Sequence, residues 1–145
     1  MRIFIDADGC PVVDITVQLA KKHNVECFIL CDTSHIFNKD GAMTLTYSKG
    51  ADSVDFALVN LLNTGDIVIT QDYGLAAMCL ARNAVTLNQD GVEYTTDNID
   101  ALLLARHTAR KIRSSGGRLK GPSKRAKEQD AAFKIALDSV LKTYI

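Results

Sequence analysis

The sequence predicts an α/β fold: three layers, α/β/α, around a mostly parallel central sheet of about five strands. Three observations carry this prediction. Short runs dense in Ile, Val, Leu and Phe recur along the first ninety residues. Segments with apolar residues at helical spacing separate most of them, and turn-forming clusters bound both kinds. Strands that alternate with helices at this spacing form βαβ units with right-handed crossovers. The 145 residues are 47% hydrophobic and 23% charged, enough for one domain with its own core.

Taken in order, the stretch from Arg2 opens as a short buried strand that ends on two carboxylates, Asp6 and Asp8. The chain turns at Asp8-Gly9 and enters a helix over 11–24 with Pro11 in its first turn. Apolar residues at Val12, Ile15 and Leu19, and at Val13, Val17 and Ala20, give that helix its buried stripe. A second strand covers Val25–Cys31. A polar piece then leads to a third strand, Met43–Tyr47. Ser53–Leu62 is helical, closed by Asn63-Thr64-Gly65. A fourth strand, Asp66–Thr70, carries a continuous apolar run and is expected to be buried on both faces. Gln71-Asp72-Tyr73-Gly74 turns into a helix over Leu75–Arg82, and Ala84–Leu87 is the fifth strand. Beyond Asn88–Gly91 the pattern is helical. Thr96-Asp97 caps a helix to Ser114 with Ile99, Leu102, Leu103, Ala109 and Ile112 on one side. The Gly-, Lys- and Arg-rich stretch 115–127 is expected to be a mobile loop. A last helix from about Glu128 to Lys142 buries Phe133, Ala136, Leu137, Val140 and Leu141.

In an open parallel sheet, ligands sit outside the carboxyl ends of the strands. Asp6 and Asp8 follow the first strand, Asp72 follows the fourth, and Asp52 and Asp55 lie in the first turn of the middle helix. Strand ends and helix starts share one edge, so these five carboxylates converge. Each alone has a structural use, as a turn residue, an N-cap or a partner of the helix dipole. Together they repel, and at least one pKa must rise unless a cation intervenes. Oxygen-only ligands suit Mg²⁺ or Mn²⁺, which activate water for attack on phosphate. Asp66 begins its strand and belongs to the opposite edge.

The net charge of zero conceals a split. Up to Leu103 there are 14 acidic and 6 basic residues, and from Leu104 onward 3 acidic and 11 basic. Arg106, Arg110 and Arg113 recur at helical spacing beside Lys111, followed by Arg118, Lys120, Lys124, Arg125 and Lys127. Such a row is a solvated helix face or, near a metal-carboxylate edge, a grip on a nucleic-acid backbone. The absence of Trp and the few aromatics argue against recognition by stacked bases. No apolar run is long enough to cross a bilayer, and Asp6 and Asp8 interrupt any signal-peptide plan. Cys10, Cys27, Cys31 and Cys79 form no Cys-x-x-Cys pair, which favours reduced thiols and a cytoplasmic setting over zinc or disulfides. Assembly into a homo-oligomer is left open.

Ile5-Asp6-Ala7-Asp8-Gly9-Cys10-Pro11-Val12, the run from Gly65 to Ala76, Asn98-Ile99 and Lys120-Gly121-Pro122 resemble the YaiI/YqxD family of bacterial proteins, over nearly the whole chain. Gly9 stands where that family usually has Ala. The resemblance implies a fold similar to PIN domains, here a single PIN-like domain over 1–145 with a basic helical section from about residue 97. PIN nucleases carry an Asp ending the first strand, an acidic residue opening a central helix and an Asp after Thr-x at the fourth strand. These fall on Asp6, on Asp52 or Asp55, and on Asp72, and imply metal-dependent hydrolysis of RNA phosphodiesters.

Two rival readings remain. Asp6-Ala7-Asp8-Gly9-Cys10 also resembles the Asp-x-Asp-x-Thr of haloacid-dehalogenase-type phosphatases. Against that, Cys10 replaces the threonine, and Gly65-Asp66 precedes a strand where that family's acidic motif follows one. The other rival is a non-catalytic RNA- or protein-binding module with a carboxylate metal site.

Overall fold

Ile3, Phe4 and Ile5 are buried in the first strand, β1 (Arg2–Asp6), which runs through the middle of the sheet. The computed structural model describes residues 1–50, 53–117 and 124–144. After β1 come α1 (Val13–Lys22), β2 (Glu26–Asp32), β3 (Met43–Tyr47), α2 (Ser53–Leu61), β4 (Ile67–Ile69), α3 (Tyr73–Ala81) and β5 (Val85–Leu87). The chain closes with β6 (Glu93–Tyr94), α4 (Thr96–Ser114) and α5 (Lys127–Tyr144). Among the described residues the strands lie in the order β3-β2-β1-β4-β5-β6. The first five are parallel, as expected. The chain winds from β1 out through β2 to β3, then returns to β4 on the other side of β1. The strand order therefore reverses between β1 and β4, the place where such sheets hold ligands.

Successive side chains of a strand face opposite ways, so β1 divides its residues between two cores. Ile3 and Ile5 pack with Val13, Val17 and Ala20 of α1 and with Phe133, Leu137 and Leu141 of α5. Phe4 and Val68 pack with Leu58 of α2 and Leu75 and Cys79 of α3. Both faces are covered, which explains the unbroken apolar runs. The four thiols are free. Burial pushes Cys10 up to about 11, and Cys27 and Cys79 up to about 12, so these three stay protonated and unreactive near neutrality. No described helix is long and apolar enough to cross a membrane.

The structure adds a sixth strand and one exception to parallel order. β6 pairs antiparallel with β5. Two residues are too few to show a strand period, and the turn before it is set by side-chain chemistry. The Asn88 carboxamide accepts the N–H groups of Asp90 and Val92, and Gly91 takes φ +84°. β6 places the buried Tyr94, whose hydroxyl donates to the Thr70 carbonyl at 3.2 Å and braces the end of β4.

Helical boundaries shift at α1 and α4. Pro11 lies in a turn ahead of α1, because Val12 is the residue that flanks the first helical turn. The cap of α4 is Thr95, not Thr96: its hydroxyl accepts from the Asn98 N–H while Asn98 reaches back to the Thr95 N–H, a complete capping box. The apolar side of α4 is also shorter than its periodicity suggests. Ile99 is buried against Tyr94 and Ala76, but Leu104 and Ile112 are exposed. Most of the second half of α4 is exposed.

Between β1 and α1, Gly9 adopts φ +75°. A Cβ there would meet nothing within 4 Å, so the constraint is the backbone alone. Gly9→Ala is expected to cost about 1 kcal/mol, the penalty of the left-handed region, measurable by urea denaturation. A stability equal to or above the parent's would refute the left-handed turn.

Candidate functional site

The carboxyl ends of β1, β2 and β4 open onto one cleft of about 550 Å³, which Asp6, Asp8, Asp32, Asp55, Asp72 and Arg106 help to line. Strand polarity therefore gathers the expected carboxylates on one edge. Asp52 lies outside the described residues. Asp55, in the first turn of α2, supplies the acidic group from that helix.

Asp6 is the deepest of the set. Its Oδ2 accepts from the Thr70 hydroxyl at 2.7 Å. The Thr70 oxygen in turn accepts the Asp72 N–H at 3.0 Å. One buried threonine thus fixes Asp6 relative to Asp72 across the β1–β4 junction. Asp72 caps α3, its Oδ1 accepting the Leu75 N–H at 3.1 Å. The Gln71 carboxamide donates to the Gly9 carbonyl at 2.8 Å and ties the two loops together. Burial, followed by the charges of Asp55, Asp72 and Asp8, lifts the Asp6 carboxyl from its usual 3.8 to about 6, against the lowering effect of the Thr70 bond. Carboxylates crowded with little positive charge disfavour one another's ionised forms.

Asp8 faces another way. Its Oδ2 accepts the Asp32 N–H at 3.1 Å, and its Oδ1 stands 2.6 Å from Nδ1 of His35. Asp32 accepts from both the N–H and the hydroxyl of Ser34, which hold its carboxyl below the usual range. Asp32 and His35 were not among the residues expected at the site. The rule that found Asp6 could have found Asp32, since it ends a parallel strand, β2, beside β1. Its place at the head of a polar stretch disguised it, and His35 carries no signal of its own.

The cations divide. Arg106 lines the cleft, with Nη1 3.7 Å from Asp72 Oδ1. Arg110 and Arg113 follow it by four and seven residues on the same face of α4. Both are exposed and, with Lys111, meet no carboxylate among the described residues. This row leads out of the cleft for about 10 Å, at 1.5 Å of rise per residue. Lys124 is exposed; Arg118 and Lys120 lie outside the described residues. Arg125 is committed elsewhere: its guanidinium holds Asp130 at 2.8 Å, Asp90 at 2.9 Å and the Gln89 carbonyl at 2.7 Å. It fastens the start of α5 to the β5–β6 turn.

Comparison with known proteins agrees with the length of the shared motifs. The sequence profile of the family described as "Uncharacterized BCR, YaiI/YqxD family" matches residues 4–143. A UPF0178 protein of Exiguobacterium sibiricum is 52% identical over 141 residues, 97% of this chain and 96% of that one. A UPF0178 protein of Clostridium acetobutylicum is 47% identical over 138 residues, covering 94% and 93%. One of Ruminiclostridium cellulolyticum is 49% identical over 137 residues, covering 94% and 90%. No solved structure matches the chain.

Proposed function

We propose that this chain, which belongs to the YaiI/YqxD family, is a divalent-cation-dependent nuclease that hydrolyses RNA phosphodiesters in the β1–β4 cleft. The observation that carries the reading is Asp6, a half-buried carboxyl at the strand-order reversal whose pKa is lifted to about 6 beside three further carboxylates. Asp6, Asp55 and Asp72 offer oxygen ligands only, a donor set that fits Mg²⁺ or Mn²⁺. The PIN resemblance implies Asp6, Asp52 or Asp55, and Asp72, a set that includes these three. A cation held there supplies charge neutralisation and an acidified water. The Thr70 hydroxyl orients Asp6 and Asp72 together, donating to the Asp6 carboxylate and accepting the Asp72 N–H. Arg106 is placed to hold a phosphate oxygen at the mouth of the cleft, and Arg110 and Arg113 extend the grip along the strand.

The test is direct. Purified protein, incubated with single-stranded and hairpin RNA and either Mn²⁺ or Mg²⁺, is expected to release shorter fragments, and chelation is expected to stop it. No cleavage of either substrate with either metal overturns the reading. RNA affinity without turnover would mark a binding module. Release of phosphate from a monoester with phosphorylation of Asp6 would mark a phosphatase. The phosphatase reading needs Asp8 as a general acid, yet Asp8 is engaged with the Asp32 N–H and faces His35.

Arg106→Ala is expected to weaken RNA binding and to flatten its dependence on salt. For a single strand, the slope of log affinity against log salt falls by about 0.7 per lost contact, readable by fluorescence anisotropy. A slope unchanged in both Arg106→Ala and Arg110→Ala would reduce the row to a solvated helix face.

A further inference from the structure

We propose that Asp8, Asp32 and His35 form a separate cation site for a divalent first-row transition ion, at the carboxyl ends of β1 and β2. One ligand atom from each of the three lies within 4.8 Å of the other two. Ligands about 2.1 Å from a common ion stand about 3 to 4.2 Å apart. The 3.7 Å between His35 Nδ1 and Asp32 Oδ1 falls inside that range. The 2.6 Å between His35 Nδ1 and Asp8 Oδ1 opens by a few tenths of an ångström on binding.

A second observation points to a missing ligand rather than to a simple ion pair. Asp8 Oδ1 is a fully buried oxygen with no hydrogen-bond partner among the described residues. The imidazole nitrogen stands close to it but is not aligned for an N–H to reach it. A buried acceptor without a donor is destabilising. A cation shared by Asp8 Oδ1 and the imidazole lone pair removes that cost. The remaining contacts hold the ligands in place: Asp8 Oδ2 is fixed by the Asp32 N–H, and Asp32 by Ser34.

The donor set also separates this site from the one around Asp6. An imidazole with two carboxylates suits Zn²⁺ or Co²⁺, whereas carboxylates alone suit Mg²⁺ or Mn²⁺. The inference concerns binding and does not depend on the nuclease reading.

The experiment uses the full chain, stripped with chelator and then kept in excess Mg²⁺ to occupy oxygen-only ligands. Zn²⁺ is titrated by calorimetry, and Co²⁺ by its visible absorption. One equivalent of each is expected to bind. His35→Ala and Asp32→Asn are expected to weaken the affinity by about tenfold or more, and Asp72→Asn to leave it unchanged. His35 is half exposed in a loop, so its truncation preserves the fold, which circular dichroism checks. The proposal is overturned if the parent binds neither ion, or if His35→Ala binds them as well as the parent. It is equally overturned by a thiolate-to-cobalt band in the near ultraviolet, which would place the ion on a cysteine. RNA cleavage is not read, so failure here leaves the nuclease reading standing, and the converse also holds.

Discussion

Asp6→Asn is expected to stabilise the protein at pH 7.5 by about 2 to 3 kcal/mol while lowering RNA cleavage by about a hundredfold or more. The two effects have one cause. A carboxyl whose pKa is 3.8 in the unfolded chain and about 6 in the folded one binds protons more tightly in the fold. Its contribution to stability is fully present below pH 3.8 and is lost as pH rises through about 6. Near neutrality the ionised group costs about 3 kcal/mol, at 1.36 kcal/mol per unit of difference. Asparagine keeps an oxygen to accept from Thr70 and cannot ionise. Its stability is therefore expected to lack the decline between pH 4 and 6.5 that the parent shows. Mg²⁺ is expected to raise the Tm of the parent and to leave that of Asp6→Asn nearly unmoved, because a cation that binds only the folded form stabilises by mass action. Urea denaturation across pH checks the first claim, and RNA turnover the second. A variant less stable than the parent at pH 7.5 would contradict the buried, repelled carboxylate. A stabilised variant with no cleavage in either protein would keep the electrostatics and remove the nuclease.

The five parallel strands were legible because their apolar runs are long relative to noise and because turn residues bound them. Strand polarity then carried Asp6, Asp8, Asp55 and Asp72 to one edge with no tertiary information. What failed to show has physical reasons. β6 is two residues long, and its turn depends on the Asn88 side chain rather than on a hydrophobic period. The apolar spacing of α4 ran past its support, because periodicity registers which face is greasy and not whether a neighbour covers it: Ile99 is buried, Ile112 is not. The separation of Asp8 from Asp6 was invisible for a related reason. Residues two apart on an ending strand follow the path of the turn, and that turn hands Asp8 to the Asp32 N–H. Arg125 shows the same limit for charge, since a run of cations does not reveal which member meets Asp90 and Asp130.

The other large effect is expected at the far end of the same two strands, where Asp66→Ala should destabilise the fold by about 3 kcal/mol. Asp66 is 2% exposed and precedes β4. It accepts the Arg2 N–H at 3.0 Å, the Arg2 guanidinium at 2.8 Å and the Asn63 N–H at 2.8 Å. Alanine strands two backbone donors and leaves the guanidinium with the Leu61 carbonyl and the face of the Phe4 ring. Arg2→Ala is expected to cost less, about 1 to 2 kcal/mol, because Asp66 keeps both backbone N–H bonds and the guanidinium is partly solvated. A double-mutant cycle by urea denaturation separates the ion pair from the backbone bonds, and a loss below about 1 kcal/mol for Asp66→Ala would refute this anchoring role. The arrangement has a consequence for Asp6. Four steps of strand at about 3.3 Å put Asp6 about 13 Å from the Arg2 end of β1, far enough for independent effects. Asp66→Ala and Asp6→Asn are therefore expected to add, the second recovering most of what the first removes. β1 and β4 are clamped at their amino ends by the Asp66 carboxylate and crowded at their carboxyl ends by like charges around Asp6, so the anchor at one end offsets the cost of the candidate site at the other.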